Sequence, residues 1–401
     1  MTKKVNMLLA AALLIAVFTI GGVTLAKNYK GMAYAFFVTY TQNAKGERGL
    51  QTLKPRIESL RGEINANLLG KDQFQKLNAR FQLSLGKQML SFGGTTMVRL
   101  KTGHLYDVQG PASDERIGSE VDAMARLKDK LDEQGIPMAF VYAHSELYED
   151  GLLPTGVRDF NNQTADKIVD GLRASGVTTI DSRALYREQG FAMQEAAMRT
   201  DQHWAIRMAF EAYRAAVKAL NQTGKVALDD QAIDLDNFEI KQLPGAHLGD
   251  VGARIGADAV APDDFYWITP KYGTMIRSRV KRSSNEWQER EGSFEDAVLN
   301  RDVLDNGALP HNIYDAYGRH TDQAYYTNEA APAGRVLVIK DSFGTPTASF
   351  LSLAAREVCT LDLRRTRITA EQMIEEFKPD AVLVVHCQEM FRGSKNYVFV
   401  D

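Results

Sequence analysis

Val336, Leu337, Val338 and Ile339 form an uninterrupted apolar, mostly β-branched run. Such a run suits a strand covered on both faces, as in the parallel sheets of α/β proteins. It stops at Lys340-Asp341-Ser342, Gly344 and Pro346 then break the extended pattern, and Thr347–Ala355 reads as a helix. A small hydroxyl residue at the carboxyl end of a buried strand, at a turn into a helix, is where open α/β sheets carry reactive groups. Amides entering the next helix would face any negative charge forming beside Ser342. The segment equally permits a plainer role, Asp341 or Ser342 as a helix cap.

The rest of the chain repeats the alternation. Strands are expected near Val98, Phe140, Thr179, Leu337, Cys359 and Val384, separated by helical patterns over Asp114–Glu133, Asn161–Ser175, Trp204–Leu220 and Ala370–Phe377. That predicts a three-layer α/β fold with a mostly parallel sheet. With 401 residues and 44% hydrophobic content, the chain can bury one large core or two smaller ones. A formal charge of −3 gives no basic footprint for nucleic acid. The two cysteines, Cys359 and Cys387, exclude a disulfide-stapled fold and read as core residues on strands that adjacent pairing can bring together.

A second segment adds chemistry. Met198–Tyr213 runs from a polar T-D-x-H-W directly into an amphipathic helix. Asp201 and His203, two apart, do not share a helical stripe, but in a loop or first turn the carboxylate can orient the imidazole. An Asp cap with a surface His is the alternative. Trp204, directly after the histidine, is bulky enough to wedge the loop and fix the imidazole's direction.

T-D-Q-H-W, followed far downstream by V-I-K-D-S-F and by L-D-L-R at Leu361–Arg364, resembles the DHHW proteins. These are similar to the catalytic domains of the alginate O-acetylation proteins, members of the SGNH hydrolase-like superfamily with permuted strand order. The resemblance runs from about Val98 to the C-terminus and departs at Gln202, where the family form has His. It implies Ser342 as nucleophile, His203 as base and Asp201 as orienter. It also implies a substrate or oxyanion role for Arg364, where a surface ion pair is the alternative. The alginate relatives are extracytoplasmic acetyltransferases that work with a multi-pass acyltransferase of the MBOAT class.

The N-terminus is read separately. Met1–Lys4 is short and basic, and Val5–Ala26 is uncharged and mostly apolar, long enough to span a bilayer as a helix. Residues 1–26 are therefore expected to be a transmembrane anchor, with a cleaved signal peptide as the alternative because Thr24-Leu25-Ala26 forms a cleavage-compatible end. Lys3 and Lys4 favour a cytoplasmic N-terminus and leave the remaining chain outside. Residues 27–95 suit a helical stalk or a decoration on the domain, and 96–401 the catalytic domain.

Other candidates carry less. His144 and Ser145 follow a strand expected over Pro137–Tyr142, and His144 suits substrate contact better than chemistry. Leu248–Gly252 and Gly256 form a glycine-rich loop that fits no nucleotide signature. Phe265-Tyr266-Trp267 suits core packing, with a glycan groove as the alternative. His311, Tyr317, His320 and Asp322 crowd a polar stretch that borders the substrate, with Tyr317 a contact residue. The spacing there does not suit a metal, and no cofactor is expected.

Together these observations lead to an extracytoplasmic O-acetyltransferase of a cell-surface or secreted polysaccharide, acting through an acyl-serine. A carbohydrate acetylesterase of the same fold and a non-catalytic glycan-binding or scaffold protein are the alternatives.

Overall fold

The structure, a computed structural model, describes residues 2–42, 49–92, 95–256, 259–281, 286–305, 313–318, 323–366, 368–392 and 399. The chain divides into two compact units, Met1–Ser84 and Leu85–Asp401.

The first unit is helical. Thr2–Phe37 is one continuous helix, followed by helices over Leu53–Asn67 and Lys71–Ser84. Arg56 ties the second helix to the end of the first: its guanidinium lies 3.7 Å from the Tyr40 ring centre and donates to the Phe36 carbonyl at 3.0 Å. Several side chains in the first half of Thr2–Phe37 lie outside the described set, and among the described residues no helix is long and apolar enough to cross a membrane.

The second unit begins with a small antiparallel sheet, β1 (Met89–Phe92), β2 (Thr95–Arg99) and β3 (Leu105–Asp107). The strand expected near Val98 belongs here and not in the main sheet, because the turn at Thr102–His104 brings β3 straight back onto β2. There follow β4 (Met138–Tyr142), β5 (Thr178–Asp181), the paired β6 (Phe238–His247) and β7 (Asp263–Pro270), β8 (Ile276–Lys281), β9 (Trp287–Gly292), β10 (Gln323–Asn328), β11 (Arg335–Lys340), β12 (Glu357–Leu361) and β13 (Ala381–His386).

The main sheet has eight strands in the order β5-β4-β13-β11-β12-β10-β8-β9. The first five are parallel, and β10, β8 and β9 add on antiparallel. The sheet is thus mixed, with its parallel half centred on β13 and β11. The apolar run of β11 alternates faces as strand geometry requires. Val336 and Val338 enter a core shared with helices Ile206–Gln222 and Gly344–Ala354, while Leu337 and Ile339 enter one shared with Asp114–Glu133, Asn161–Ala174 and Ala370–Phe377. Two helical layers therefore enclose the sheet.

Cys359 and Cys387 are free, buried thiols. Phe265, Tyr266 and Trp267 lie on β7 in the first core, which removes the glycan-groove alternative for them.

Candidate active site

β11 delivers Ser342 to the carboxyl end of the sheet, and the turn that carries it is tightly fixed. Asp341 is buried and accepts from the Phe343 amide at 2.9 Å and the Cys387 amide at 2.8 Å, and His386 Nδ1 stands 3.5 Å away. Burial opposes its charge, but His386, Arg364 and the Cys387 amide hold its carboxyl well below the usual range. A Cβ on Gly344 would come within 2.7 Å of the Lys340 Cβ and 2.9 Å of the Val385 Cβ, so the helix can start this close to the sheet only with glycine there. Lys340 is buried beneath the turn, and its Nζ donates to Thr345 Oγ1 at 3.0 Å.

The second arm arrives from 139 residues earlier. His203 Nε2 lies 2.8 Å from Ser342 Oγ, and Nδ1 lies 2.6 Å from Asp201 Oδ1. An ionised carboxylate can only accept, so Nδ1 carries the proton and Nε2 is left to accept from the serine hydroxyl. Burial works against a charged Asp201, but the imidazoles of His203 and His247 hold its carboxyl well below the usual range. The Asp201 turn also receives the His203 amide at 3.1 Å. The imidazole stacks on Tyr314 with ring centres 4.4 Å apart. Trp204 is fully buried, and its Nε1 donates to the Phe343 carbonyl and the Tyr314 hydroxyl, each at 3.0 Å. The indole thus ties the base loop to the residue after the nucleophile.

Further supports come from residues that the sequence marks weakly or not at all. Asp263, at the start of β7, accepts from the amides of Arg199 and Thr200 and from the Thr200 hydroxyl at 2.5–2.8 Å. The glycine-rich loop read as bland packs against Asp201: the Gly249 amide donates to Thr200 Oγ1 at 2.9 Å. A Cβ on Gly249 would lie 2.3 Å from the Asp201 Cβ. His247 Nε2 stands 3.5 Å from Asp201 Oδ2. The only hint in the sequence was the pair of glycines, which marks close backbone approach without saying to what.

Ser342 opens into a cavity of about 190 Å³ whose lining includes Phe343, Arg364, Gln202, Asp107 and Glu146. Arg364 is held by Asp362, Nε to Oδ1 at 2.8 Å and Nη2 to Oδ2 at 2.6 Å. Two expected substrate contacts are corrected. Tyr317 is fully buried, with its hydroxyl accepting from the Ile268 amide at 2.8 Å, because it belongs to the aromatic core beside Phe350. His144 is also buried: Nε2 donates to the Leu147 carbonyl at 2.7 Å, its amide donates to Ser182 Oγ at 2.9 Å, and burial pushes its pKa down to about 4. It shapes the loop that places Ser145 and Glu146 at the cavity and does not itself line it. Among the described residues no group of His, Cys, Asp and Glu could hold a metal, and His311, His320 and Asp322 lie outside the described residues.

Comparison with known proteins bears on the fold and on residues 104–249. No curated protein matches the chain significantly by sequence. Over its described fold the chain is similar to PatB1 of Bacillus cereus, with a TM-score of 0.60 at 17% identity, covering 76% of this chain and 97% of that one. A form of PatB1 with a sulfonyl adduct gives 0.61 at 17% identity, covering 77% and 99%. A DHHW family protein from Eubacterium siraeum gives 0.56 at 14% identity, covering 79% and 99%. At such identities these likenesses speak for the fold alone. Residues 104–249 match the family model of the SGNH hydrolase-like domain of acetyltransferase AlgX, a stretch that contains Asp201 and His203 and ends before Ser342. That match spans 146 of the 401 residues, so it makes part of the chain similar to that domain, and it supports an enzyme of the O-acetyltransferase or esterase kind.

Proposed function

We propose that this protein is an extracytoplasmic O-acetyltransferase that acylates a cell-surface or secreted polysaccharide, with Ser342 as nucleophile, His203 as base and Asp201 as its orienter. One observation carries the reading: a hydroxyl from one segment meets an imidazole and a carboxylate from another, 139 residues away, at 2.8 Å and 2.6 Å. In the first half-reaction, Ser342 Oγ attacks the acyl carbon of the donor ester while His203 Nε2 takes its proton. The donor's C–O bond breaks, and the leaving alcohol takes that proton from the imidazolium. In the second, a sugar hydroxyl attacks the acyl-serine, His203 accepts its proton, and the proton returns to Ser342 as the ester bond to the enzyme breaks. Asp201 stabilises the imidazolium in both halves.

The oxyanion needs donors. The Phe343 amide is already committed to Asp341; the Ser342 amide, by its place at the strand-to-helix turn, is the candidate donor, and Arg364, held by Asp362, brings positive charge to the cavity lining. Losing one such donor typically raises the barrier by about 3 kcal/mol.

Outside the catalytic unit, the uncharged stretch Val5–Ala26 supports an anchor in the membrane, with residues 27–95 as a stalk and 96–401 beyond it. An anchored enzyme of this kind can take its acetyl group from a membrane acyltransferase of the MBOAT class, as the family resemblance implies.

The test supplies an activated acetyl ester with and without an acceptor glycan to wild type and to Ser342→Ala. Acceptor acetylation by wild type alone supports the proposal. Equal turnover by both proteins overturns the nucleophile, and release of acetate with the acceptor untouched makes the domain an esterase.

A further inference from the structure

Resting on the reading of Val5–Ala26 as the anchor, we infer that the helix Lys71–Ser84 lies on the extracytoplasmic surface of the same bilayer, with Phe74, Leu77 and Phe81 set among the lipid chains. For an aqueous setting this helix is inside out. Its apolar stripe faces outward: Phe74, Leu77 and Phe81, at helical spacing, are 49%, 63% and 62% exposed. The side it buries carries Ala79 and the polar Gln82. A contiguous row of exposed large apolar side chains marks a surface that something covers.

The position of the helix says what that is. Arg56, near the start of Leu53–Asn67, donates to the Phe36 carbonyl at the far end of Thr2–Phe37. The other end of Leu53–Asn67 returns to the apolar run: Asn28 Nδ2 donates to the Thr24 carbonyl at 3.0 Å and to the Asn67 carbonyl at 3.4 Å. The Leu69 amide then donates to Thr24 Oγ1 at 3.1 Å. Thr24 stands two residues before the end of the run, about 3 Å along the helix axis. Lys71–Ser84 therefore starts at the level where an anchor over Val5–Ala26 leaves the hydrocarbon. Its charges suit that level, with Lys71, Lys76 and Arg80 against one acid, Asp72. Lys71 comes three residues before Phe74 and Arg80 three after Leu77, so helical spacing puts these cations on opposite borders of the stripe. There a long side chain reaches the lipid phosphates while its stem stays in the apolar layer. A protein partner accounts for the stripe alone, whereas a bilayer accounts also for the bordering cations and the height of the helix.

The experiment places the full chain in bilayers of phosphatidylcholine and phosphatidylglycerol, with a nitroxide attached at Leu77→Cys, Asp72→Cys or Leu14→Cys. Both native thiols are buried, and wild type carried through the same labelling gives their background. Collision with oxygen reads the acyl region, and collision with a nickel chelate reads water. The Leu77→Cys label is expected about 5–10 Å below the phosphates and the Asp72→Cys label in water. Phe81→Cys repeats the first reading at a second position on the stripe. A Leu77→Cys label in water, with the Leu14→Cys label in hydrocarbon, overturns the inference and leaves the anchor standing. A Leu77→Cys label shielded from both reagents also overturns it, because protein then covers the stripe. A Leu14→Cys label in water overturns the anchor itself, and the inference with it. Ester turnover measured on the same samples reports on Ser342 separately.

Discussion

The two sides of one cavity are built in opposite ways. On the side of Ser342 and His203, three carboxylates are answered from within the chain: Asp341 takes two amides, Asp201 takes an imidazole and an amide, and Asp263 takes three donors from the neighbouring loop. On the side of Asp107 and Glu146, neither carboxyl pairs with a cation among the described residues: Glu146 is buried and pushed toward its neutral form, and half-buried Asp107 has one oxygen, Oδ1, without a hydrogen-bond partner. A carboxylate answered by internal donors stays charged and is held in place for chemistry, whereas a buried carboxyl without a cation is driven toward its neutral form. The contrast separates a charged, braced part of the site from a neutral, unpaired one.

The braced side should respond most strongly. Asp201→Asn keeps the shape but presents an amide where only an acceptor suits His203 Nδ1–H, so the imidazole loses its proper tautomer. Steady-state ester turnover should fall about 10⁴-fold with little change in the melting temperature. A fall of only a few-fold would mean that the carboxylate is not the orienter. Next comes Gly249→Ala, whose methyl would collide with the Asp201 Cβ at 2.3 Å. Shifting the base loop by about 1 Å should cost about 10²-fold in turnover, and overpacking should cost about 1–3 kcal/mol in denaturant titration. Unchanged values would show the loop to be loose where the structure makes it tight.

The smallest effect belongs to the acidic side and has the opposite sign. Burial raises the Glu146 pKa above its ordinary value. For a carboxyl raised on folding, the folded state is favoured below the unfolded pKa, and that advantage is lost as pH rises through the folded one. Wild-type melting temperature should therefore decline from mildly acidic to mildly alkaline pH more than that of Glu146→Gln. Parallel curves for the two proteins would place Glu146 on the satisfied side and erase the contrast.

Much of the parallel half of the sheet was legible because β4, β11 and β13 are covered on both faces and must be apolar throughout. Helix Asn161–Ala174 was legible for the complementary reason, a stripe of apolar residues on a polar cylinder. The hairpin β8–β9 was not, since Arg277, Arg279, Glu289 and Glu291 face solvent at an antiparallel edge and no apolar run marks the two strands. Asp201, His203 and Ser342 were legible as candidates because their residue types and local turns carry chemistry. Their braces were not: Asp263 and Gly249 lie 64 and 49 residues from the groups they hold, and nothing local marks a partner at that range. Tyr317 and His144 show the converse error, in which polar rings near loops were taken for contacts although both are buried, the Tyr317 hydroxyl bonded to the Ile268 amide and His144 Nε2 to the Leu147 carbonyl.

The nucleophile can be identified directly by trapping. Wild type, Ser342→Ala and His203→Gln are exposed to a sulfonyl fluoride and the labelled residue is mapped by peptide mass. One adduct on Ser342 in wild type, none in Ser342→Ala and strongly slowed labelling in His203→Gln is the result this account requires. Labelling of another residue, or equal labelling rates with and without the imidazole, would contradict it.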